Sequence, residues 1–201
     1  MNRAQLINAT IHLRAYLNYL EIGVQDGGTF NSIECQNKTG VDPDADRLKN
    51  ARGGTFHAMT SDEFFASTDE KFDIIFIDGL HQWEQVLKDA ENALEHLSWG
   101  GTVIFHDCFP TTPDQAQREM HDREWCGDVW KAIVHMRAEW ENVVIRVHPD
   151  DYGLGVMRRV VDGFPRVPLV LPNPVEELTY DDLQENKVMF LGLTVDEHQL
   201  L

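Results

Sequence analysis

The chain has 201 residues, 25% of them charged and 42% hydrophobic, with a formal net charge of −17. That is the make-up of one globular domain with a substantial core. So large an acidic surplus argues against nucleic acid or an anionic membrane as a partner, since both are polyanions. No apolar run approaches the ~20 residues needed to span a bilayer. The N-terminus carries charges among its apolar residues rather than a signal-peptide core. Cys35, Cys108 and Cys126 have no metal-ligand spacing and cannot all pair, so a reducing, cytoplasmic setting is expected.

Residues 1 to 16 read as a short amphipathic helix with Leu6, Ile7, Ile11 and Leu13 on its apolar side. Asn18 to Val24 reads as a first strand that runs into the turn Gln25-Asp26-Gly27-Gly28-Thr29, which opens a short helix. The spacing is Glu-x-Gly-x-x-x-Gly with the acid Glu21 inside the strand, and so differs from the dinucleotide fingerprint. An acid there repels a pyrophosphate and suits a ligand bearing an ammonium group. Lys38 to Pro43 forms a short strand ending at Asp42, which in such sheets is placed to accept hydrogen bonds from ribose hydroxyls. A third strand, Thr55 to Met59, precedes the helix-capping run Thr60-Ser61-Asp62.

The most informative stretch is Phe72 to Pro110. Phe72 to Ile77 is an unbroken β-branched and aromatic run, suited to a strand buried on both faces of a parallel sheet. Trp83, Val86, Leu87, Ala90, Ala93, Leu94 and Leu97 follow at helical spacing, with Gly100-Gly101 expected to stop that helix. Thr102 to Phe105 reads as the next strand, completing a right-handed βαβ unit. Asp78, Gly79 and His81 follow the first of these strands, and His106-Asp107 follow the second. Carboxyl ends of neighbouring parallel strands face one crevice, so Asp78, His81, His106 and Asp107 are expected to converge there.

Beyond the unit, Thr111 to Glu124 is polar and reads as a mobile loop or lid. Asp128 to Glu139 reads as a helix. Asn142 to Val147 and Gly153 to Arg158 are two β-rich runs whose short join demands an antiparallel hairpin. Gly163 to Pro174 holds four prolines and reads as an extended arm, followed by a capped helix from Thr179 to about Leu191. The expected fold is therefore a doubly wound, Rossmann-like α/β sheet of seven strands, mostly parallel with one antiparallel strand near an edge, and helices on both faces.

Four motifs at successive strand ends carry a resemblance. These are Tyr19-Leu20-Glu21-Ile22-Gly23-Val24, Val41-Asp42-Pro43-Asp44, Phe76-Ile77-Asp78-Gly79-Leu80-His81 and Val103-Ile104-Phe105-His106-Asp107. Together they resemble class I S-adenosylmethionine-dependent methyltransferases, and more narrowly the small bacterial group related to metal-assisted sugar O-methyltransferases. The resemblance spans about Asn18 to Arg158 and implies one cofactor-binding domain over 1–162, with 163–201 as an arm and helix of the same domain. It implies that Glu21, Gly23, Gly27 and Gly28 line the methionine end of the cofactor and that Asp42 holds the ribose. It also implies that Ser61-Asp62 lie at the adenine and that Asp78 lies beside the sulfonium.

The resemblance implies that, in metal-dependent relatives, an acid at the place of Asp78 and a pair of oxygen ligands at the place of His106-Asp107 bind magnesium. Here His106 stands for one oxygen ligand and Leu80 for a second acid, which points to a softer ion such as manganese or zinc, or to none. His106-Asp107 reads equally as a hydrogen-bonded pair at a strand end. His81 reads equally as a general base, with Asp78 and His106 as the other catalytic candidates, or as a cap on the following helix. Trp125, Trp130 and Trp140 read as packing residues in preference to substrate stackers, and Cys108 as a buried thiol.

The expected activity is methyl transfer to a hydroxyl of a small, sugar-like polyhydroxylated acceptor, and the arm is expected to pack on the domain or on a second copy in a homodimer. A metal-independent enzyme acting on a phenol or an amine, and an inactive cofactor-binding subunit, remain open alternatives.

Overall fold

β-Branched and aromatic runs form the strands, and the 3.6-residue apolar stripes form the helices that cover them. The computed structural model describes residues 1–120, 124–160, 169–196 and 200. The strands are β1 (Asn18–Ile22), β2 (Asn37–Val41), β3 (Thr55–His57), β4 (Phe72–Ile77), β5 (Leu97–Phe105), β6 (Val143–His148) and β7 (Leu154–Arg159). They make one seven-stranded sheet in the order β3-β2-β1-β4-β5-β7-β6. Neighbours from β3 through β5 are parallel, while β7 runs antiparallel to both β5 and β6. This is the expected Rossmann-like arrangement, with the reversed strand one place in from the edge.

The helices are α1 (Arg3–Arg14), α2 (Ser61–Ser67), α3 (Trp83–His96), α4 (Val129–Glu139) and α5 (Tyr180–Leu191). Side-chain alternation along each strand separates two cores. Leu20, Ile22, Ile75, Ile77, Val103 and Phe105 face the side covered by α2, α3, α4 and α5. Tyr19, Ile74, Phe76 and Ile104 face the other side, covered by Leu6, Ile7 and Ile11 of α1 and by Phe30. Among the described residues, no helix is long and apolar enough to cross a membrane.

Local chemistry explains the boundaries. Asn2, Thr60 and Thr179 each cap a helix through a reciprocal capping box, satisfying amide groups that the first turn leaves free. Gly100-Gly101 do not stop α3 as expected. The helix ends at His96, whose ring nitrogens face the carbonyls of Asn92 and Thr68. Leu97 then enters β5 opposite Phe72. The glycines form an irregularity within β5, between the pairs Phe72–Leu97 and Ile74–Thr102. Gly100 has φ +76°, and a Cβ on Gly101 would lie 2.8 Å from the Asp73 carbonyl.

The segment after Pro110 is tied down where it is described. Gln115 is buried, takes hydrogen bonds from Thr111, and accepts the Cys126 amide at 3.0 Å on its carbonyl. Arg118 bridges Glu84 and Asp128 at 2.9 Å each. Of the proline-rich arm, 163–168 lie outside the described residues. Leu169 and Leu171 pack on the α3/α4 core, and α5 packs against α4 and β6.

Gly23 makes the junction between β1 and β4 possible. Its φ is +87°, and a Cβ there would sit 2.0 Å from the carbonyl oxygen of Asp78. Gly23→Ala is expected to destabilise the fold by about 2–4 kcal/mol, from left-handed strain plus displacement of the Asp78 backbone. Urea unfolding measures it; an effect below ~1 kcal/mol would show that the β1–β4 junction tolerates a side chain.

Candidate active site

The sheet register levels five strand ends on one rung. Ile22 lies opposite Val41 and Ile77, Val41 opposite His57, and Ile77 opposite Phe105. Gly23, Asp42, Asp78 and His106 therefore leave the sheet together. Antiparallel β7 places Gly155 opposite Phe105, so the turn before it, 149–153, arrives at the same edge. Strand alternation then sets direction: Glu21, Asp78 and His106 share parity with Tyr19, Phe76 and Ile104, and so face the α1 side.

Arg3, at the start of α1, enters that side. Its Nη1 donates to Asp78 Oδ2 at 3.1 Å, while Nε and Nη2 donate to the two oxygens of Asp151 at 3.1 and 3.0 Å. His106 Nδ1 pairs with Asp107 Oδ2 at 2.8 Å and lies 3.4 Å from Asp78 Oδ1. Its Nε2 faces Asp151 Oδ1 at 3.5 Å, which is ion-pair contact and not a formed hydrogen bond. His81 Nε2 lies 3.4 Å from Asp78 Oδ1 and 3.3 Å from Asp107 Oδ2. Its Nδ1 is buried with no hydrogen-bond partner among the described residues, and its ring stacks on Trp125 at 4.9 Å between centroids. His81 does not cap α3; Asp128 Oδ1 accepts the Trp83 amide at 2.8 Å instead.

Three carboxylates thus meet three bases. Burial pulls the His106 imidazole down, but Asp107, Asp151 and Asp78 outweigh it and raise it to about 11. Burial also opposes the charge on His81, and Asp78 with Asp107 again raise it above its ordinary value. Burial pushes Asp78 and Asp151 up. The imidazoles of His106 and His81 reverse this at Asp78, and those of His106 with Arg3 reverse it at Asp151, holding both well below the usual carboxylate range. The Cys108 and Cys126 thiols are pushed up by burial, so both are inert.

The other expected residues line the same edge towards β2 and β3. Glu21 is 1% exposed and accepts a hydrogen bond from the Tyr19 hydroxyl. Burial raises its carboxyl to about 8, against the opposing Tyr19 hydrogen bond. Gly27 and Gly28 form the turn after β1, with the Gly27 amide bonded to the Val24 carbonyl at 3.0 Å. Asp42 is buried and oriented by the Gln25 and Asp44 amides at 2.9 Å each, which leaves lone pairs on both oxygens for a ligand. Ser61 and Asp62 open α2, where Gln85 reaches both and Lys88 pairs with Asp62 at 2.5 Å.

The donor atoms that converge for a cation belong to Asp78, His81 and Asp107, all within 4.8 Å of one another. His106, expected as a ligand, differs. It is held as an imidazolium between Asp107 and Asp151, and a protonated ring has no lone pair to offer a metal. Asp78, His81 and Asp107 fit a divalent ion, provided His81 gives up its proton. Arg3 and Asp151 are partners that no motif in the sequence singles out, whereas Trp125, expected to pack, does so on the His81 ring. Asp151 had one available signal: a turn leading into an antiparallel strand must sit at the carboxyl edge of the parallel ones.

Residues 20–108 match the family model described as a methyltransferase domain. No curated protein matches the sequence. Solved structures share the fold. The S-adenosylhomocysteine-bound methyltransferase PaMTH1 of Podospora anserina has a TM-score of 0.64 at 14% identity, covering 79% of this chain and 78% of its own. The O-methyltransferase TomG of Streptomyces achromogenes, solved with S-adenosylmethionine, gives 0.60 at 15%, covering 79% and 80%. An O-methyltransferase from Bacillus cereus, solved with S-adenosylhomocysteine, gives 0.58 at 14%, covering 77% and 79%. At these identities the structural likeness speaks for the fold, and the matched domain supplies the class. Residues 20–108 thus match a methyltransferase domain, on a fold shared with solved methyltransferases.

The charge cluster gives a pH prediction for the metal-free protein. The folded value of His106, about 11, lies above the free value of about 6.5, so the folded state holds an extra proton between them. Its stabilisation is complete below pH 6.5 and is lost as pH rises towards 11. His106→Ala should cost about 3–5 kcal/mol at pH 7, by leaving buried carboxylates unopposed, and should flatten that alkaline decline. Guanidinium unfolding from pH 6 to 10 checks both; a wild-type stability that stays level over this range would show that His106 is not charged.

Proposed function

We propose that the protein transfers a methyl group from S-adenosylmethionine to a hydroxyl of a small, polyhydroxylated acceptor. The observation that carries this is the convergence of Asp78, His81 and Asp107 beside the glycine turn, on the rung that also carries Asp42. The donor set suits the cofactor: Asp42 for the ribose hydroxyls, buried Glu21 for the ammonium end, and Ser61-Asp62 towards the adenine. When bound, the cofactor supplies the methyl group on a sulfonium, an electrophile that needs only an aligned nucleophile. Asp78 and Asp107 would orient the acceptor hydroxyl, and His81 Nε2 would take its proton. With its value raised, His81 is a base only above the ordinary imidazole range, so turnover should climb as pH passes that range.

A second reading follows from the same three residues. Asp78, His81 and Asp107 would hold a magnesium, manganese or zinc ion, which lowers the pKa of a bound hydroxyl. His81 Nε2 cannot both ligate and accept the proton, so the two readings exclude each other at that atom. The three bases that already balance the carboxylates favour the first.

Two measurements test these readings. Calorimetry should show binding of S-adenosylhomocysteine and none of NAD, with Asp42→Ala weakening binding by about 1.5–3 kcal/mol. Tight NAD binding without a response to S-adenosylhomocysteine would sink the cofactor assignment. Methyl transfer to a panel of polyols and sugars, followed by S-adenosylhomocysteine release, should survive chelator and fall about 10²–10⁴-fold in His81→Gln. Loss of turnover on chelation, restored by one of the three ions, would select the metal reading.

A further inference from the structure

Glu21 is a buried titratable group that takes no part in the proton transfer from the acceptor hydroxyl. It sits one residue before the end of β1, is 1% exposed, and faces the α1 side of the sheet. Its hydrogen-bond partner is the neutral hydroxyl of Tyr19, itself fully buried. Among the described residues, no cation reaches the carboxylate at ion-pair distance. Charged groups act on it from each neighbouring element: Asp78 after β4 opposes its ionisation, and Lys38 of β2 and Arg3 of α1 assist it. Lys38 is engaged elsewhere, donating to the carbonyls of Phe30 and Ile33 at 2.8 and 3.2 Å. Arg3 is committed to Asp78 and Asp151. A buried acid with one neutral partner and no dedicated cation holds its proton in the free protein.

The glycine turn that receives the ammonium end of the cofactor begins two residues later, at Gly23. In the low-dielectric interior a positive charge there acts on Glu21 without direct contact. We propose that Glu21 is a proton-release group: cofactor binding ionises it, and one proton leaves to solvent for each cofactor bound. The balance is simple. The carboxyl O–H bond breaks, the proton goes to buffer, and the carboxylate remains as counter-charge to the ammonium. The inference rests on the cofactor reading above and adds to it a pH-dependent affinity. It also explains the acid inside β1: neutral, it tolerates burial in the free protein, and charged, it favours a cationic ligand.

The experiment is titration calorimetry of the full chain with S-adenosylhomocysteine, which carries the ammonium but no sulfonium. It is run in phosphate and in Tris at pH 7.0, 7.5 and 8.5, where both species buffer and the ligand's amine stays largely protonated. With Glu21 near 8 in the free protein, the enthalpies should differ between buffers by an amount equal to release of most of one proton at the lower pH. The difference should shrink severalfold by pH 8.5, and affinity should tighten by up to about tenfold per pH unit as pH rises towards about 8. Glu21→Gln keeps the shape and should abolish both the buffer dependence and the pH dependence. Tyr19→Phe removes a hydrogen bond that favours the ionised form, and should move the release window to higher pH. Binding with buffer-independent enthalpy in the wild type, or proton release that persists in Glu21→Gln, overturns the inference and leaves the cofactor reading standing. Absence of S-adenosylhomocysteine binding overturns both.

Discussion

The level ending of five strands on one rung is the constraint on which the site depends. Parallel pairing from β3 to β5 puts His57, Val41, Ile22, Ile77 and Phe105 side by side, so the residue after each enters the same crevice. Period-two alternation then decides which face each side chain takes. A slip of one residue in β4 would send Asp78 to the α3 face and away from Arg3, which shows how tightly register and chemistry are joined. Gly23 allows the closest approach on that rung, where β1 turns away over the Asp78 backbone.

Charge is the second organising force. Asp78, Asp107 and Asp151 are held in contact range of Arg3, His81 and His106, in a site where water does little to screen them. Each group is costly alone, and each offsets the desolvation of its neighbours. The arrangement also sets reactivity. Because His106 is held charged between Asp107 and Asp151, it serves as a fixed positive centre. His81, with fewer carboxylates and an unpartnered Nδ1, is the ring free to change protonation or to take a metal.

Backbone strain gathers at the same edge. Asp107, Asp151 and Tyr152 are non-glycine residues with φ of 58°, 51° and 61°. Left-handed backbone costs of order 1–3 kcal/mol per residue and persists where surrounding contacts over-determine it. Here those contacts are the ion pairs of Asp107 and Asp151. The Phe109 and Cys108 amides, bonded to the Tyr152 and Gly153 carbonyls at 2.7 and 3.1 Å, fix the hairpin turn against β5.

The sequence by itself determined the sheet, its reversed strand, and the strand-end positions of Asp42, Asp78, His81, His106 and Asp107. Unbroken apolar runs, the helical stripe of α3 and the short β6–β7 join are local patterns whose physics is local. It misplaced the end of α3, because Gly100-Gly101 have the residue type of a helix stop, whereas the pairing of Leu97 with Phe72 decided the matter across the sheet. Arg3 was not legible, since the docking of α1 against Tyr19 and Ile74 depends on packing far along the chain, and Asp151 was marked only by its place in the β6–β7 turn, whose docking against β5 local pattern leaves open. The division of labour between the two histidines was equally invisible. Spacing brought both to the crevice, but only the tertiary structure put a third carboxylate beside His106 and an aromatic ring over His81, and a buried imidazole's protonation is decided by the groups around it in space.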